Sequence, residues 1–243
     1  MKTIKLKILG LVLFTAALAF GATFAKSPAA TAKVDANTIL LTPANHVAIV
    51  GSINEESVSL AIAELSKLLN SRKNESELYL VLDTPGGSVL AGFRLYEFLK
   101  PYKNVHTVTL NSYSMGAVLV ELIPGTRYIT ETGTIMFHRV SIAIGQPQHI
   151  DEIKSSLEYY KSMENLVIDK TAERTGIPYN DLEKEIQNEL FMLGTTAVKR
   201  NFADKVIAVE CDAALIKQKK KRLVQPLPFL PPLEIIVSAC PLL

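Results

Sequence analysis

The sequence predicts an α/β protein built from repeated strand–helix units. From residue 45 onward, short β-branched runs alternate with amphipathic helical segments, which is the pattern of parallel strands joined by crossover helices. The length supports one unit of this kind, because 243 residues with 48% hydrophobic content supply a single sizeable core once the two ends are set aside. We therefore predict one domain over residues 38–214.

The predicted strands are short runs with high β-branched content: His46–Val50, Leu78–Leu82, Val105–Leu110, Arg127–Thr130, Thr134–Phe137 and Val206–Val209. Between the first two, apolar residues recur at three- and four-residue spacing, which predicts a helix capped by Asn54. A second helix is predicted over residues 88–100, because Pro101 cannot continue helical hydrogen bonding. A long polar helix, 149–175, and a short one, 195–201, follow.

The amino terminus has the composition of an export signal. Residues 1–25 carry three lysines followed by an apolar stretch that is short for spanning a bilayer, which predicts a signal peptide. Cleavage after Ala25 fits best, and cleavage after Gly21 is the alternative. Residues 26–37 are interpreted as a linker rich in Ala, Pro, Thr and Ser. We expect an exported protein, periplasmic or secreted. A membrane anchor made by an uncleaved signal and a cytoplasmic location are the alternatives.

Residues 215–243 combine a basic run with a proline-rich apolar segment, and we expect a poorly ordered tail. The basic run is interpreted as solvated, with attraction to a membrane surface as the alternative. Cys211 and Cys240 can form at most one disulfide, and the position of Cys240 in this tail argues against it. The 26 basic and 24 acidic side chains nearly balance, which argues against a nucleic acid partner.

Ser114 lies where a predicted strand turns sharply into a helix. The strand Val105–Leu110 leads into the turn, and an apolar helical run over residues 117–123 leads out of it. The hydroxyl then projects from the end of the sheet, and the first N–H groups of the helix can hold a developing negative charge. A serine in this place is also a common helix cap, so its position alone does not identify a nucleophile.

The turn over residues 83–88 supplies a second candidate anion-binding element. It follows the strand Leu78–Leu82, and the binding sites of open α/β sheets gather at the carboxyl ends of strands. The N–H of Gly87 is therefore a candidate oxyanion donor beside that of Met115, although a Pro-Gly-Gly turn is often only a turn. The glycine spacing does not match a dinucleotide loop, and we predict no cofactor and no metal.

A serine hydroxyl needs a base to become a nucleophile, and the chain contains four histidines. His138 follows the predicted strand Thr134–Phe137, so its ring emerges at a strand terminus. His46 begins a strand, His106 lies inside one, and His149 starts a polar helix. We therefore predict His138 as the base.

These residues resemble the proteolytic subunit of the Clp protease, in the superfamily that also holds signal peptide peptidase A and the crotonases. The resemblance runs from about residue 38 to residue 209. The matching motifs are Pro85-Gly86-Gly87-Ser88-Val89, Ser112-Tyr113-Ser114-Met115-Gly116-Ala117, Met136-Phe137-His138 and Phe191. The resemblance implies a Clp/crotonase-like fold with a protruding helical handle. It also implies that Ser114 is the nucleophile, His138 the base, and the amides of Gly87 and Met115 the oxyanion hole.

One position departs from the pattern of that family. The family has an aspartate two residues before the phenylalanine that matches Phe191, and Glu189 stands at that position here. We expect this carboxylate to orient His138, with Asn188 as a second candidate. A solvated charge at the end of a helix is the alternative for Glu189.

The leading hypothesis is a serine endopeptidase that hydrolyses short or unfolded polypeptides through an acyl-enzyme. The resemblance implies a homo-oligomeric ring, with two heptamers stacked through the handle, and an AAA+ unfoldase partner only if the protein is cytoplasmic. The alternatives are a catalytically weak ring-forming binding or assembly protein, motivated by Glu189, and a crotonase-like lyase acting on acyl thioesters. Because the base must be a neutral imidazole, we expect activity to fall at acidic pH.

Overall fold

The computed structural model describes residues 37–71, 76–141, 149–224, 231 and 233–243. The predicted signal peptide and residues 26–36 of the predicted linker lie outside the described residues.

Strands and helices alternate through the first half of the described chain. The strands are β1 Thr38–Leu41, β2 His46–Val50, β3 Leu78–Thr84, β4 Val105–Tyr113, β5 Arg127–Phe137, β6 Leu190–Leu193, β7 Lys205–Val206, β8 Ala208–Cys211, β9 Lys219–Val224 and β10 Leu233–Ser238. The helices are α1 Glu55–Ser71, α2 Val89–Leu99, α3 Met115–Leu122, α4 Ile150–Thr175, α5 Tyr179–Glu185, α6 Gly194–Lys199 and α7 Ala213–Lys217.

The central sheet has the strand order β2-β3-β4-β5-β6, and β7 pairs with β5 beside this path. Strands β2 to β5 are parallel, and helices α1, α2 and α3 connect them in turn. Strand β6 pairs antiparallel with the carboxyl end of β5. The predicted α/β class and the predicted parallel strands joined by helices are confirmed.

Apolar side chains fill both faces of this sheet. Along β3, Leu80 and Leu82 pack into the main core with the connecting helices, while Val81 belongs to a second apolar cluster. Because side chains alternate between the faces of a strand, this run needs apolar residues at every position. The second cluster also contains Ile39 and Ile207, so β1 and the chain around β8 cover the face that the helices leave open.

Local capping explains where the first two helices begin. The Asn54 side chain accepts a hydrogen bond from Ser57 N at 2.9 Å, immediately before α1. Ser88 caps α2, accepting a hydrogen bond from Ala91 N at 3.2 Å. Strand β2 has the predicted bounds, and α2 ends at Leu99, two residues before Pro101.

Strand β5 is one element, where the sequence predicted two strands. Thr109 of β4 pairs with Ile129, but Asn111 pairs with Thr134, so β5 carries extra residues between its two paired parts. A strand with extra residues bulges out of the ladder, and Glu131 is exposed there. The residues between the two predicted strands, 131–133, are polar and end in a glycine, and the strand continues through them in the structure.

The predicted last strand is divided between two sheets. Strand β7 pairs with β5, whereas β8 pairs in parallel with β1, a strand that the sequence did not predict. Ile207 lies between β7 and β8 and is buried, and its N–H donates to Ile129 O at 2.9 Å. The chain therefore passes from the central sheet to the two-stranded sheet of β1 and β8 at this single residue.

The carboxyl-terminal segment differs from the predicted poorly ordered tail. Strands β9 and β10 form an antiparallel hairpin, and Cys211 and Cys240 form a disulfide with Cα atoms 6.0 Å apart. Ala239 and Cys240 are buried in the second apolar cluster, so the end of the chain packs against the body of the protein. The sequence argument against the disulfide was wrong, because the charge and proline content of residues 217–232 hid the apolar contacts that follow.

A buried ion pair joins the end of α3 to the start of β5. Glu121 accepts a hydrogen bond from Arg127 Nη1 at 2.5 Å, and Arg127 also contacts Asp204 and Asn201. Burial raises the pKa of Glu121, and the positive charge and hydrogen bonds of Arg127 oppose that increase by favouring the charged carboxylate. Breaking such a pair by removing one partner is costly, so it holds these two elements together.

Helix α4 changes character along its length. Its second half contributes buried residues, such as Ile168, while Ile150, Ile153 and Leu157 in its first half are exposed. The prediction that this apolar stripe meets a partner stays a prediction. No helix in the described ranges has the length and apolar content needed to span a membrane.

Candidate active site

Ser114 lies on a strained turn between β4 and α3. Its backbone has φ 52° and ψ −119°, a conformation that residues other than glycine rarely adopt, and its N–H donates to Met136 O at 2.9 Å. The hydroxyl makes no capping hydrogen bond with α3. Ser114 is at the N-cap position of α3, but its side chain does not cap the helix and is available for another partner.

That partner is His138. Tyr113, the last residue of β4, pairs with Met136 near the end of β5. Ser114 therefore lies close to the residues that follow β5, the first of which is His138. Ser114 Oγ lies 2.5 Å from His138 Nε2, and both side chains are half-buried. The structure therefore brings together the two residues that the sequence singled out.

The other three histidines have different surroundings. The His46 ring is hydrogen-bonded through Nδ1 to Thr42 O at 2.7 Å, and burial lowers its pKa. His106 pairs with Glu77, and its Nδ1 accepts from the backbone of the residue before β5. His149 precedes α4 and is exposed. In the described residues, only His138 is hydrogen-bonded to Ser114.

The glycine turn after β3 lies directly against Ser114. A Cβ atom on Gly86 would stand 2.6 Å from Ser114 Cβ and 2.6 Å from Tyr113 O, so no larger residue fits without displacing the serine. A Cβ atom on Gly87 would stand 2.2 Å from Ile53 O. Both glycines also have positive φ, 93° and 146°, so this turn requires glycine for conformation and for space.

Two backbone N–H groups beside Ser114 have no acceptor among the described residues. Two hydrogen bonds of 2.8 Å hold the turn, one from Ile53 N to Gly86 O and one from Ser88 N to Ile53 O. The Gly87 N–H takes part in neither of them. Met115 is the first residue of α3, where N–H groups have no partner within the helix. These are the two donors predicted for an oxyanion hole.

Glu189 is not hydrogen-bonded to His138 in the structure. It precedes Leu190, which pairs with Phe137 in the antiparallel ladder of β5 and β6, so Glu189 lies at the rim of the sheet near His138. Its side chain is exposed, and it makes no hydrogen bond or ion pair with the described residues; the same holds for Asn188. The role of Glu189 as the orienting acid stays a prediction.

The second ring nitrogen of His138, Nδ1, is hydrogen-bonded to a backbone carbonyl. His138 Nδ1 lies 2.5 Å from Arg139 O. The Arg139 guanidinium in turn donates to the Glu164 carboxylate, with Nε at 2.9 Å and Nη2 at 2.7 Å. Sequence reasoning missed both Arg139 and Glu164. The available signal was a carboxylate at helical spacing from the buried Ile168, on the inner face of α4.

The chemistry of the site is that of side chains and backbone. Within the described ranges, no group of three or more His, Cys, Asp or Glu residues is placed to hold a metal ion. Ser114, His138 and the nearby amides instead supply an alcohol, an imidazole and hydrogen-bond donors. The predictions of no metal and no cofactor stay predictions.

A serine on a strand-to-helix turn, paired with a histidine and flanked by open amides, defines a candidate acyl-transfer site on an α/β sheet. The comparison with known protein families agrees with this class. The model of the Clp protease family matches residues 30–210 of the 243 residues. The chain therefore belongs to the Clp protease family, a family of peptidases, and its mixed α/β architecture is consistent with the Clp/crotonase-like fold.

The ion pair beside the site predicts a pH-dependent stability. Hydrogen bonds from Arg139 lower the pKa of Glu164 from 4.5 to about 2, with a further contribution from Lys161. Because the folded-state pKa is below the ordinary value, this stabilisation is complete above pH 4.5 and is lost as the pH falls towards 2. We expect Glu164→Gln to lower the free energy of unfolding by up to about 3 kcal/mol near neutral pH.

Urea unfolding at a series of pH values measures this difference. The gap between wild type and Glu164→Gln should close as the pH falls from 4.5 to about 2. Glu158→Gln, which changes an exposed carboxylate on the same helix, is the matched control and should leave stability unchanged. A gap of constant size across the whole pH range contradicts the prediction.

Proposed function

We propose that this protein is a serine endopeptidase that hydrolyses short or unfolded polypeptides. The observation that carries the proposal is the 2.5 Å contact between Ser114 Oγ and His138 Nε2 at a strained strand-to-helix turn. Strain of this kind is retained where function needs it, because the rest of the fold must offset its cost. Membership in a peptidase family supports the same reaction.

In the proposed mechanism, Ser114 Oγ attacks the carbonyl carbon of a peptide bond while His138 Nε2 accepts the hydroxyl proton. The N–H groups of Gly87 and Met115 hold the oxyanion of the tetrahedral intermediate. His138 then gives the proton to the leaving amine, and an ester between Ser114 and the acyl part of the substrate remains. Water, deprotonated by His138, hydrolyses this ester and restores the serine. Acid that protonates His138 stops the first step.

An edge strand beside the site suits an extended peptide substrate. Strand β6 is at the end of the central sheet, and it carries Phe191 and Leu193, both more than half exposed. An extended peptide can add to such an edge through main-chain hydrogen bonds, which select weakly among side chains. Broad cleavage of unfolded chains follows from this mode of binding.

The exposed position of Glu189 favours a second candidate function, a catalytically weak ring-forming binding or assembly protein. Losing the acid that orients the histidine lowers the rate of serine proteases by about ten thousand-fold. A protein that needed little turnover would tolerate that loss. Labelling of the serine separates the two candidates.

We expect a fluorophosphonate probe to label the wild-type protein at Ser114 and the variant Ser114→Ala not at all. The probe forms a bond with a serine oxygen only when a neighbouring base activates it. Peptide mapping by mass spectrometry identifies the labelled residue, and hydrolysis of a quenched-fluorescent peptide measures turnover. Ser59→Ala, on the exposed face of α1, is the control. A wild-type protein that stays unlabelled and inactive rules out the peptidase and leaves the assembly function.

The close approach of Gly86 to Ser114 predicts a specific loss of activity in Gly86→Ala. The new Cβ atom would lie 2.6 Å from Ser114 Cβ and must displace the serine or the turn. We expect the probe-labelling rate to fall by roughly 100-fold, as misplacement of a reacting group by about 1 Å can do.

Gly51→Ala is the matched control for this variant. Gly51 has a similar φ of 96°, but nothing lies within 4 Å of its Cβ position. Both substitutions therefore strain a left-handed backbone by about 1–2 kcal/mol, and only one of them contacts the site. Equal labelling rates in the two variants, with both proteins folded, would refute the assigned role of Gly86.

We further propose that the protein is exported and assembles into a ring. The composition of residues 1–25 and the disulfide between Cys211 and Cys240 both support export, because disulfides persist in oxidising compartments. The exposed apolar residues Ile150 and Leu157 on α4 support a homo-oligomeric ring, and two stacked heptamers are the arrangement that the family resemblance implies. An exported ring would act without ATP, and an AAA+ unfoldase is expected only if the protein is cytoplasmic.

Native mass spectrometry of the protein expressed from its full sequence tests export and assembly together. We expect the subunit mass of a chain that begins at Lys26, and a complex that contains a multiple of seven subunits. The variant Leu157→Glu, which places a charge on the exposed stripe of α4, should shift the complex towards monomers. An intact subunit that begins at Met1 contradicts signal cleavage, and a monomeric wild type contradicts the ring.

A further inference from the structure

We propose that Glu164 is a positioning residue for His138, and that it acts by fixing the Arg139 carbonyl that orients the imidazole. The effect on rate rests on the proposed serine peptidase function. The effect on the histidine ring does not depend on catalysis and can be measured separately.

The Arg139 carbonyl selects one tautomer of His138. A carbonyl oxygen only accepts hydrogen bonds, so Nδ1, at 2.5 Å from Arg139 O, must carry the hydrogen. The lone pair of the neutral ring is then on Nε2, which faces Ser114 Oγ. This is the tautomer that a base for Ser114 needs, and the structure reaches it without a carboxylate on the ring.

The chain around this carbonyl lies outside regular secondary structure. Strand β5 and its ladder end at Phe137, so His138 and the residues that follow, up to 141, have no strand partner in the described structure. A carbonyl in such a segment orients a ring only if other contacts hold its peptide plane. Glu164 supplies those contacts from α4.

Glu164 binds the same peptide unit that orients the histidine. Its Oε1 accepts a hydrogen bond from Val140 N at 3.3 Å, and that N–H belongs to the peptide group whose carbonyl is Arg139 O. A peptide group is planar and trans, so its N–H and C=O point in opposite directions. Holding the N–H against Glu164 therefore directs the carbonyl away from α4 and towards His138 Nδ1.

A second contact strengthens this hold. The Arg139 guanidinium makes a bidentate pair with Glu164, with Nε at 2.9 Å and Nη2 at 2.7 Å. A bidentate pair restricts orientation as well as distance. Glu164 therefore holds the side chain of Arg139 as well as the peptide group that contains its carbonyl. The Glu164 side chain is only 9% exposed, and Lys161 Nζ donates to it at 3.1 Å, which keeps the carboxylate in place.

The arrangement differs from a carboxylate triad in one respect. A neutral carbonyl selects the tautomer but stabilises the imidazolium formed during reaction less than a carboxylate would. Glu189, the residue that the family pattern offers for that task, is exposed and makes no hydrogen bond with the described residues. We therefore expect the rate to depend more on Glu164 than on Glu189.

Nitrogen NMR of protein labelled with ¹⁵N in its imidazole rings tests the orientation directly. The variant His138→Gln assigns the resonances of that ring. We expect wild-type His138 at neutral pH to be the tautomer with hydrogen on Nδ1, and Glu164→Gln to give a mixture of both tautomers. Glu183→Gln, which removes a charge that is near Arg139 but does not contact Val140 N, is the matched control and should keep the wild-type tautomer.

Kinetics of the same variants test the consequence for catalysis. Glu164→Gln should lower kcat by about 10- to 100-fold with KM unchanged, because a misplaced base affects the chemical step more than binding. Glu183→Gln should keep the wild-type kcat, and Glu189→Gln should lose less activity than Glu164→Gln. A thermal unfolding curve for each variant confirms that the protein is folded at the assay temperature.

An unchanged tautomer in folded Glu164→Gln overturns the proposal, and so does a greater loss of kcat in Glu189→Gln than in Glu164→Gln. The outcome for the peptidase is distinct. If the wild-type protein neither reacts with the fluorophosphonate probe nor cleaves peptides, but its His138 tautomer still depends on Glu164, then the peptidase function fails and the positioning role stands.

Discussion

The hydrogen bond from Ser114 N to Met136 O determines where the two side chains of the site can meet. It continues the pairing of β4 with β5 by one residue beyond Tyr113, and His138 lies only two residues after Met136. The far ends of the same elements are also joined, since Glu121 near the end of α3 pairs with Arg127 at the start of β5. The serine and the histidine therefore lie between two fixed points, and a rigid frame of this kind allows close positioning of reacting groups.

This frame has a cost in backbone conformation, and the surrounding structure offsets it. Ser114 has an unfavourable φ, and the neighbouring turn needs glycine at two consecutive positions. The turn is itself tied down by hydrogen bonds with the backbone of Ile53, and Gly86 N donates to the Thr84 hydroxyl at 3.0 Å. Ile53 belongs to the main apolar core, so the contacts that hold this turn are anchored in packed structure that can offset the strain.

Much of the site could be predicted because its parts are local in sequence. Ser114, Gly87 and His138 each follow a strand, and the carboxyl ends of adjacent parallel strands meet at one edge of a sheet. The hydrogen-bond partners of the histidine could not be predicted in this way. Arg139 O contributes through its backbone, which carries no side-chain signal, and Glu164 reaches it from a helix 25 residues further along the chain.

The same distinction explains why the sequence predicted some elements of the fold and not others. Strand β2 and helix α2 have clear caps, breaks and periodicity, and their bounds follow from those features. The short strand β1 depends on pairing with β8, more than 160 residues away, and its isolated sequence gives little indication of that pairing. The exposed bulge in β5 has the composition of a turn, and only the strands on either side keep it extended.

The disulfide also affects how damage to this chain would be detected. Cys211 and Cys240 are separated by 29 positions and enclose helix α7 and the hairpin of β9 and β10. A single backbone cut anywhere between them leaves one covalent molecule, which a non-reducing gel cannot tell from the intact chain. Only after reduction do the two fragments separate, so an enzyme that trimmed its own hairpin would look uncut until a thiol was added.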